Sequence, residues 1–326
     1  MKDFETYRNG LGLNNVLYIS MIIESFERRI KDAKTGGQVL LVEEPEAHLH
    51  PQLQRVLYQV LKDKPFQTVM TTHSTHITSH AALPSLVFFT NTGRATLGKS
   101  QYSTTLSPYE AADIERYLDA TRSALFFSRK VILVEGPAEL FVIPPLVKKV
   151  MGIDLERLGI SIIPIYGVHF QAYAKLFNNL ALPKKCAIVA DGDLTPDDGE
   201  EIDLGEEISE FPALESLQTE YVGVFKCRTT FERALTIGGL LRTLAVAAEE
   251  CGAPVIARTL REGYKSVSAE IKPAKRAAML LPLSDRVLST AKRFGKARFA
   301  QVVSKHIALA EDIPDYIKNA VIWLIS

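Results

Sequence analysis

No stretch of this chain approaches the roughly 20 consecutive apolar residues that a membrane-crossing helix needs. The first ten residues, MKDFETYRNG, hold no apolar core of the signal-peptide kind. A membrane span and a secretory leader are therefore not expected, and a cytoplasmic location is. Cysteine is scarce: Cys186, Cys227 and Cys251 are odd in number and form no CxxC pair, which argues against a disulfide framework or a zinc site. Net charge is absent, with 38 Lys and Arg against 38 Asp and Glu, so any charge-driven function must come from how the charges are distributed. Internal repeats and low-complexity tracts are absent too. What remains is 326 residues, 47% hydrophobic and 23% charged, a globular composition long enough for two domains, or for one large and one partial domain.

The charge is uneven. Residues 191–220 hold twelve acids and no Lys or Arg, whereas residues 236–326 hold fourteen Lys and Arg against eight acids. One segment is suited to gathering cations and the other to facing a polyanion, although solvated surfaces produce the same pattern. Apolar spacing predicts a helix over 14–31, a buried parallel strand at Val39–Val42, a helix at Pro51–Leu61 and a strand at Thr68–Thr71. A hairpin of Leu86–Thr90 and Ala95–Leu97 follows, then a helix capped by Ser107 and running through Leu118. A second α/β pattern has strands at Val131–Val134, Ile160–Ile165, Ala187–Ala190 and Val222–Phe225, with helices between the first three, as in a parallel sheet covered on both faces. From Thr236 on the pattern is helical, with breaks expected at Gly252, Pro273, Pro282, Gly295 and Pro314.

Two groups of motifs carry chemistry. In the first, the strand at Val39–Val42 ends in Glu43 and Glu44, within EEPEAHLHP. In a nucleotide site the first carboxylate positions Mg2+ and the second polarises the attacking water. The next strand leads into Thr71-Thr72-His73-Ser74, where His73 can reach a γ-phosphate. Upstream, GLGLNN, with Gly12 and Asn14, opens a helix whose N-terminal amides suit a phosphate. In this order the pieces resemble the signature, Walker B, D-loop and H-loop segments of ABC-type ATPases, and the EEPEAHLHP wording resembles the branch found in the OLD family of nucleases. Gly93–Ser100 fits GxxxxGK[ST]. It is nonetheless read as a hairpin turn and edge strand, because polar and β-branched residues follow where a helix should start and because it lies after the Walker B-like strand. No credible P-loop is found. The chain alone is not expected to turn over ATP, and ATP is implied only with a complete ATPase domain. A natural fragment, a piece of a longer chain, or a partner subunit that donates a P-loop would each account for this; an identical partner would lack the loop too.

In the second group, Glu135 ends an apolar strand and Glu139 lies one helical turn later, so both carboxylates can face one crevice. Asp191 and Asp193 follow the third strand, with Gly192 between them letting the backbone approach. Four hard oxygen ligands at strand ends are what Mg2+ or Mn2+ takes. An EG turn after the first strand and DxD after the third resemble the Toprim fold of topoisomerases, primases and OLD nucleases. CRTTFERAL, with Glu232, resembles the OLD segment whose Glu supports a second metal, and GKARFA, with Lys296, resembles that family's lysine motif. Without the resemblance, Glu232 reads equally as a helix-start acid and Lys296 as a solvated lysine. Lys292, Arg293 and Arg298 are candidates for salt-sensitive contacts to DNA phosphates, and His169 is a weaker candidate near the same crevice.

The resemblance, over roughly residues 8–310, implies an α/β chain in three parts: the C-terminal portion of an ABC-type ATPase domain (1–127), a Toprim domain with a four-stranded parallel sheet (128–235) and a helical C-terminal extension (236–326). It implies an endonuclease using two Mg2+ or Mn2+ ions, with Ca2+ able to replace them in a crystal. It further implies Glu135, Asp191 and Lys296 as catalytic residues, Glu139, Asp193 and Glu232 as further ligands, DNA as substrate, a homodimer and a role in phage defence, with a partner protein, or in DNA repair. The alternatives are a non-catalytic Toprim scaffold that binds DNA and a nucleotide-gated switch whose partner supplies the P-loop.

Overall fold

The computed structural model describes residues 10–32, 37–89, 95–96, 106–166, 170–192 and 212–326. Helix Leu11–Lys31 starts three residues earlier than its apolar spacing suggests. Strands β1 (Val39–Glu43) and β2 (Gln67–Thr71) pair in parallel, with Glu43 opposite Thr71. Helix Pro51–Lys62 connects them. Ile19, Ile23, Leu40, Leu49, Leu57 and Leu61 form a core on one side of this pair. The other side is open: Leu41 is 74% exposed, with Val39 and Val69 about half exposed. The expectation of a buried strand at Val39–Val42 is thus corrected. Strand residues alternate sides, and among the described residues nothing covers the second side.

Strands β3 (Phe88–Phe89) and β4 (Ala95–Thr96) pair antiparallel, shorter than expected. Thr90 and Leu97 lie outside the described residues, as do Gly93, Gly98, Lys99 and Ser100 of the P-loop-like string. Helix Pro108–Tyr117 opens with a reciprocal capping box between Ser107 and Glu110.

The main sheet is built from β5 (Lys130–Val134), β6 (Ile160–Pro164), β7 (Cys186–Ala190) and β8 (Val222–Lys226). All are parallel, in the order β6-β5-β7-β8. β5 and β7 are central and almost wholly buried, because helices cover both faces. On one face Ile132, Val134, Ala187 and Val189 pack with Val142, Leu146, Leu244, Val303, Val321 and Leu324. On the other, Val131, Leu133, Ile163 and Ile188 pack with Ile114, Leu125, Phe177 and Leu182. The connection from β5 to β6 runs through helix Pro137–Met151, while that from β6 to β7 has only the short helix Phe170–Ala174.

The C-terminal part is helical, as its pattern predicts, with one exception. Pro282 does not break helix Pro273–Phe294. Leu280, Leu283, Ser284, Val287 and Leu288 are buried on both sides of it, and that burial outweighs the roughly 3 kcal/mol a helix-interior proline costs. Gly295, at φ 89°, ends the helix. The last helix, Asp315–Ile325, lies against β7 and β8. Its final carbonyls are capped by cations from the strand starts: Lys130 Nζ donates to the Leu324 carbonyl, and Lys185 Nζ donates to that of Trp323 at 2.9 Å.

Candidate active site

The C-terminal ends of β5 and β7 open into a crevice of about 200 Å³, lined by Glu135, Glu139, Asp191, Glu232, Lys296 and the Phe231 ring among others. Each functional group sits where backbone geometry delivers it. Glu135 is the first residue after β5, and Asp191 the first after β7. Glu139 lies in the first turn of helix Pro137–Met151, Glu232 in that of Phe231–Ile237, and Lys296 opens helix Lys296–Lys305. Two strand ends and three helix starts therefore converge, and the dipole at a helix N-terminus favours the two acids that lie there.

The acids interlock. The Asp191 amide donates to Glu135 Oε1 at 2.8 Å, fixing the two strand ends to each other. Lys296 Nζ is 3.3 Å from Glu232 Oε2. Glu232 is 3% exposed, and neither of its oxygens receives a well-directed hydrogen bond among the described residues. Burial pushes the Glu139 carboxyl up to about 8, and the charges of Asp191, Glu135 and Glu232 add to the rise. Burial, then Glu135, pushes Asp191 up to about 7. Burial works against the Lys296 ammonium, but Glu232, Asp191 and Glu139 outweigh it and hold its pKa above the ordinary lysine value.

Such a donor set suits a hard divalent cation. The oxygens are carboxylate, they are desolvated, and their mutual repulsion is relieved only by protons, one lysine or a metal. Among the described residues no group of three or more acids, histidines or cysteines stands close enough together to hold a metal ion as the side chains are placed. Glu135 accepts from the Asp191 amide, and Glu232 stands beside Lys296. Asp193 and His169 lie outside the described residues.

The structure brings Glu135, Glu139, Asp191, Glu232 and Lys296 together; the basic candidates are placed differently. Lys292 and Arg293 are exposed at the end of helix Pro273–Phe294. Arg298 is two residues beyond Lys296, roughly 200° round the helix. It neighbours Cys251 and is not part of the crevice lining.

Two buried groups behind the crevice escaped sequence reasoning. Cys227 Sγ donates to the Thr229 carbonyl at 2.9 Å and stands 3.6 Å from Asp191 Oδ1. Burial raises its thiol pKa, as does Asp191, so it stays protonated. Tyr316 reaches the same place from the last helix, and burial holds its phenol neutral. The only sequence signal was that Cys227 pairs with no other cysteine. Gly192 was legible: a Cβ there would lie 2.4 Å from the Cys227 carbonyl oxygen, so only glycine lets β7 and the segment after β8 meet.

The ATPase-like residues lie apart from this crevice. His73 Nε2 is 3.5 Å from Glu44 Oε1, both exposed. Glu43, the last residue of β1, is also exposed. Glu44 and His48 adopt positive φ, 40° and 62°. Glu46 Oε1 ties the turn down by accepting from Thr72 Oγ1 and the His73 amide, each at 2.7 Å. Gly12 packs on the same turn, since a Cβ would lie 2.3 Å from the His48 carbonyl oxygen. Gly12 thus allows a close approach between the helix start and this turn. Asn14 donates its amide to the Gly10 carbonyl within the first turn of that helix.

The family described as "Overcoming lysogenization defect protein-like, TOPRIM domain" matches residues 126–193, and the family described as "AAA ATPase domain" matches residues 2–78. Old nuclease of Escherichia phage P2 is 22% identical over 174 residues, 51% of this chain and 30% of that protein. Endonuclease GajA of Bacillus cereus (strain HuB5-5) is 26% identical over 221 residues, 59% of this chain and 32% of that protein. The chain thus spans about a third of the length of these relatives. Among solved structures, the C-terminal region of the Burkholderia pseudomallei OLD protein is 27% identical and aligns with a TM-score of 0.42 over 61% of this chain and 98% of that one. No helix among the described residues is long and apolar enough to cross a membrane.

Proposed function

We propose that this chain, whose residues 126–193 match the OLD-like Toprim family and residues 2–78 the AAA ATPase domain, is a divalent-metal-dependent endonuclease of the OLD type that hydrolyses DNA phosphodiesters. One observation carries the reading: partly buried carboxylates from two strand ends and buried ones from two helix starts share a crevice with a single lysine. Glu135, Glu139 and Asp191 would hold one Mg2+ or Mn2+ ion, and Glu232 with Asp193 would help hold a second. Bound there, two divalent ions supply activation of water and stabilisation of the leaving oxygen. Lys296, held charged by Glu232, faces the phosphate and offsets negative charge that develops on it. Residues of helix Pro137–Met151 and Phe231 wall one side of the crevice.

Lys292 and Arg293, exposed at a helix end, would meet flanking phosphates, and Arg298 would do so only for DNA that wraps round the helix. Old nuclease and Endonuclease GajA lend support through the activities their names state. A homodimer, a cytoplasmic setting and a role in phage defence or DNA repair, with or without a partner protein, belong to the same proposal.

The test is cleavage of supercoiled plasmid with Mg2+, Mn2+, Ca2+ or EDTA and no ATP, beside Asp191→Ala and Glu135→Ala. Nicking or linearisation that needs metal and is lost in folded variants is expected. Full activity in either variant would remove this site, and folded wild-type protein that binds DNA without cutting it would favour the scaffold reading. A second reading rests on the Glu44–His73 pair: with a P-loop-bearing partner, Glu43, Glu44 and His73 would sense the γ-phosphate and gate the nuclease. Nucleotide titration with and without such a partner tests it.

A further inference from the structure

Tyr166 has a combination of features that the crevice does not use. It is the second residue after β6, and its φ is 55°, in the left-handed region that non-glycine residues rarely adopt. Its ring is 54% exposed. A guanidinium supports it from one side: Arg122 Cζ lies 4.8 Å from the ring centroid. Arg122 is itself buried, at 9% exposed, and locked by bonds to the carbonyl oxygens of Pro164 and Tyr117, at 3.2 and 2.6 Å, and to Asp119 Oδ2 at 3.0 Å. An aromatic ring held at a strained backbone position by a fixed cation, with over half its surface in solvent, serves no evident packing purpose. Strain that the fold maintains at an exposed position points to function.

Its place supplies the function. Val134 is opposite Pro164, and the Ile165 amide donates to the Val134 carbonyl at 2.9 Å. Tyr166 therefore follows the end of the strand that neighbours β5, whose own end carries Glu135. A nucleic-acid strand whose phosphate lay in the crevice could extend over this neighbouring strand end. The ligand that matches a rigid, solvent-facing ring, backed by a cation, is the flat face of a nucleobase.

We infer that Tyr166 is a stacking platform for an unstacked nucleobase flanking the phosphate bound in the crevice. The inference rests on the nuclease reading. The test uses a short single-stranded oligonucleotide carrying 2-aminopurine, with Ca2+ present, measuring affinity by anisotropy and stacking by fluorescence quenching. Wild type and Tyr166→Phe are expected to bind with quenching. Tyr166→Leu, which keeps bulk without a π face, and Tyr166→Gly are expected to bind roughly 5- to 100-fold more weakly and without quenching. Tyr166→Gly also relieves the positive φ, so its Tm is expected to equal or exceed that of wild type, separating lost binding from lost folding. Wild-type affinity and quenching in Tyr166→Leu, in protein that still cleaves plasmid, would overturn the platform and leave the nuclease standing. Wild-type protein that neither binds nor cleaves DNA would overturn both.

Discussion

Glu139 and Asp191 bind protons more tightly in the folded, metal-free protein than in the unfolded chain. Their folded values are about 8 and about 7, against ordinary values of 4.5 and 3.8. From about pH 4 upward the unfolded chain has released these protons while the folded one still holds them. Stability therefore falls as pH rises toward 8, by on the order of a few kcal/mol. A divalent cation reverses the trend by favouring the ionised carboxylates. Thermal melts in EDTA are expected to show Tm dropping between pH 5 and 8, and Mn2+ to raise Tm more at pH 8 than at pH 6. A metal-free Tm that stays flat over that range would contradict the assignment. Lys296→Met leaves buried Glu232 without its cation. Lys296 is half exposed, so a loss of about 1–3 kcal/mol is expected, less than for a fully buried pair. Adding Glu232→Gln is expected to restore stability without restoring cleavage, as urea unfolding and plasmid assays would show together. Glu139 and Asp191 were readable in the sequence because a strand end, the helical turn after it and DxD spacing announce them, and Glu232 only through its resemblance to the OLD segment; Cys227 and Tyr316 were not, because contact between distant elements is what places them.

At the scale of elements, the site depends on a junction more than on any one strand. β7 and the segment after β8 meet at Gly192, whose amide donates to the Thr229 carbonyl at 2.8 Å. Gly192→Ala would drive a methyl group into the Cys227 carbonyl and the Arg228 backbone. A loss of about 1–3 kcal/mol is expected, with a disproportionate fall in cleavage because Asp191 must move. The two are separated by urea melts and by activity measured well below the unfolding midpoint. Ser107→Ala offers a contrast. It removes half of a capping box remote from the crevice and is expected to cost about 1 kcal/mol with cleavage unchanged. The four strands and their parallel sense follow from apolar runs separated by helical spacing. The persistence of helix Pro273–Phe294 through Pro282 does not, because a proline's local cost is visible in sequence while the burial that offsets it belongs to the packed molecule.

For the whole molecule, the two parallel sheets differ in how they are covered. β5 and β7 have helices on both faces, whereas β1 and β2 leave Val39, Leu41 and Val69 open on one side. Local opening needs less free energy where fewer apolar contacts are lost. Amide exchange is expected to be orders of magnitude faster in β1 and β2 than in β5 and β7. Equal protection in the isolated chain would mean that the open face is covered in solution.

By itself the sequence determined the chain order of strands and helices and the acids Glu135, Glu139, Asp191 and Asp193 at strand ends and a helix start, because each depends on local periodicity and short spacing; Glu232 and Lys296 came only through the resemblance of CRTTFERAL and GKARFA to the OLD family. It also pointed to Gly192, since a glycine between two acids implies close backbone approach. Only the tertiary structure decided that Glu232 is buried and paired with Lys296, that Arg298 turns away from the crevice, that Gly12 lets its helix start approach the turn at His48, and that Tyr166 rests on Arg122. Those facts depend on which surfaces distant segments present to one another, and no window of sequence contains both sides of such a contact.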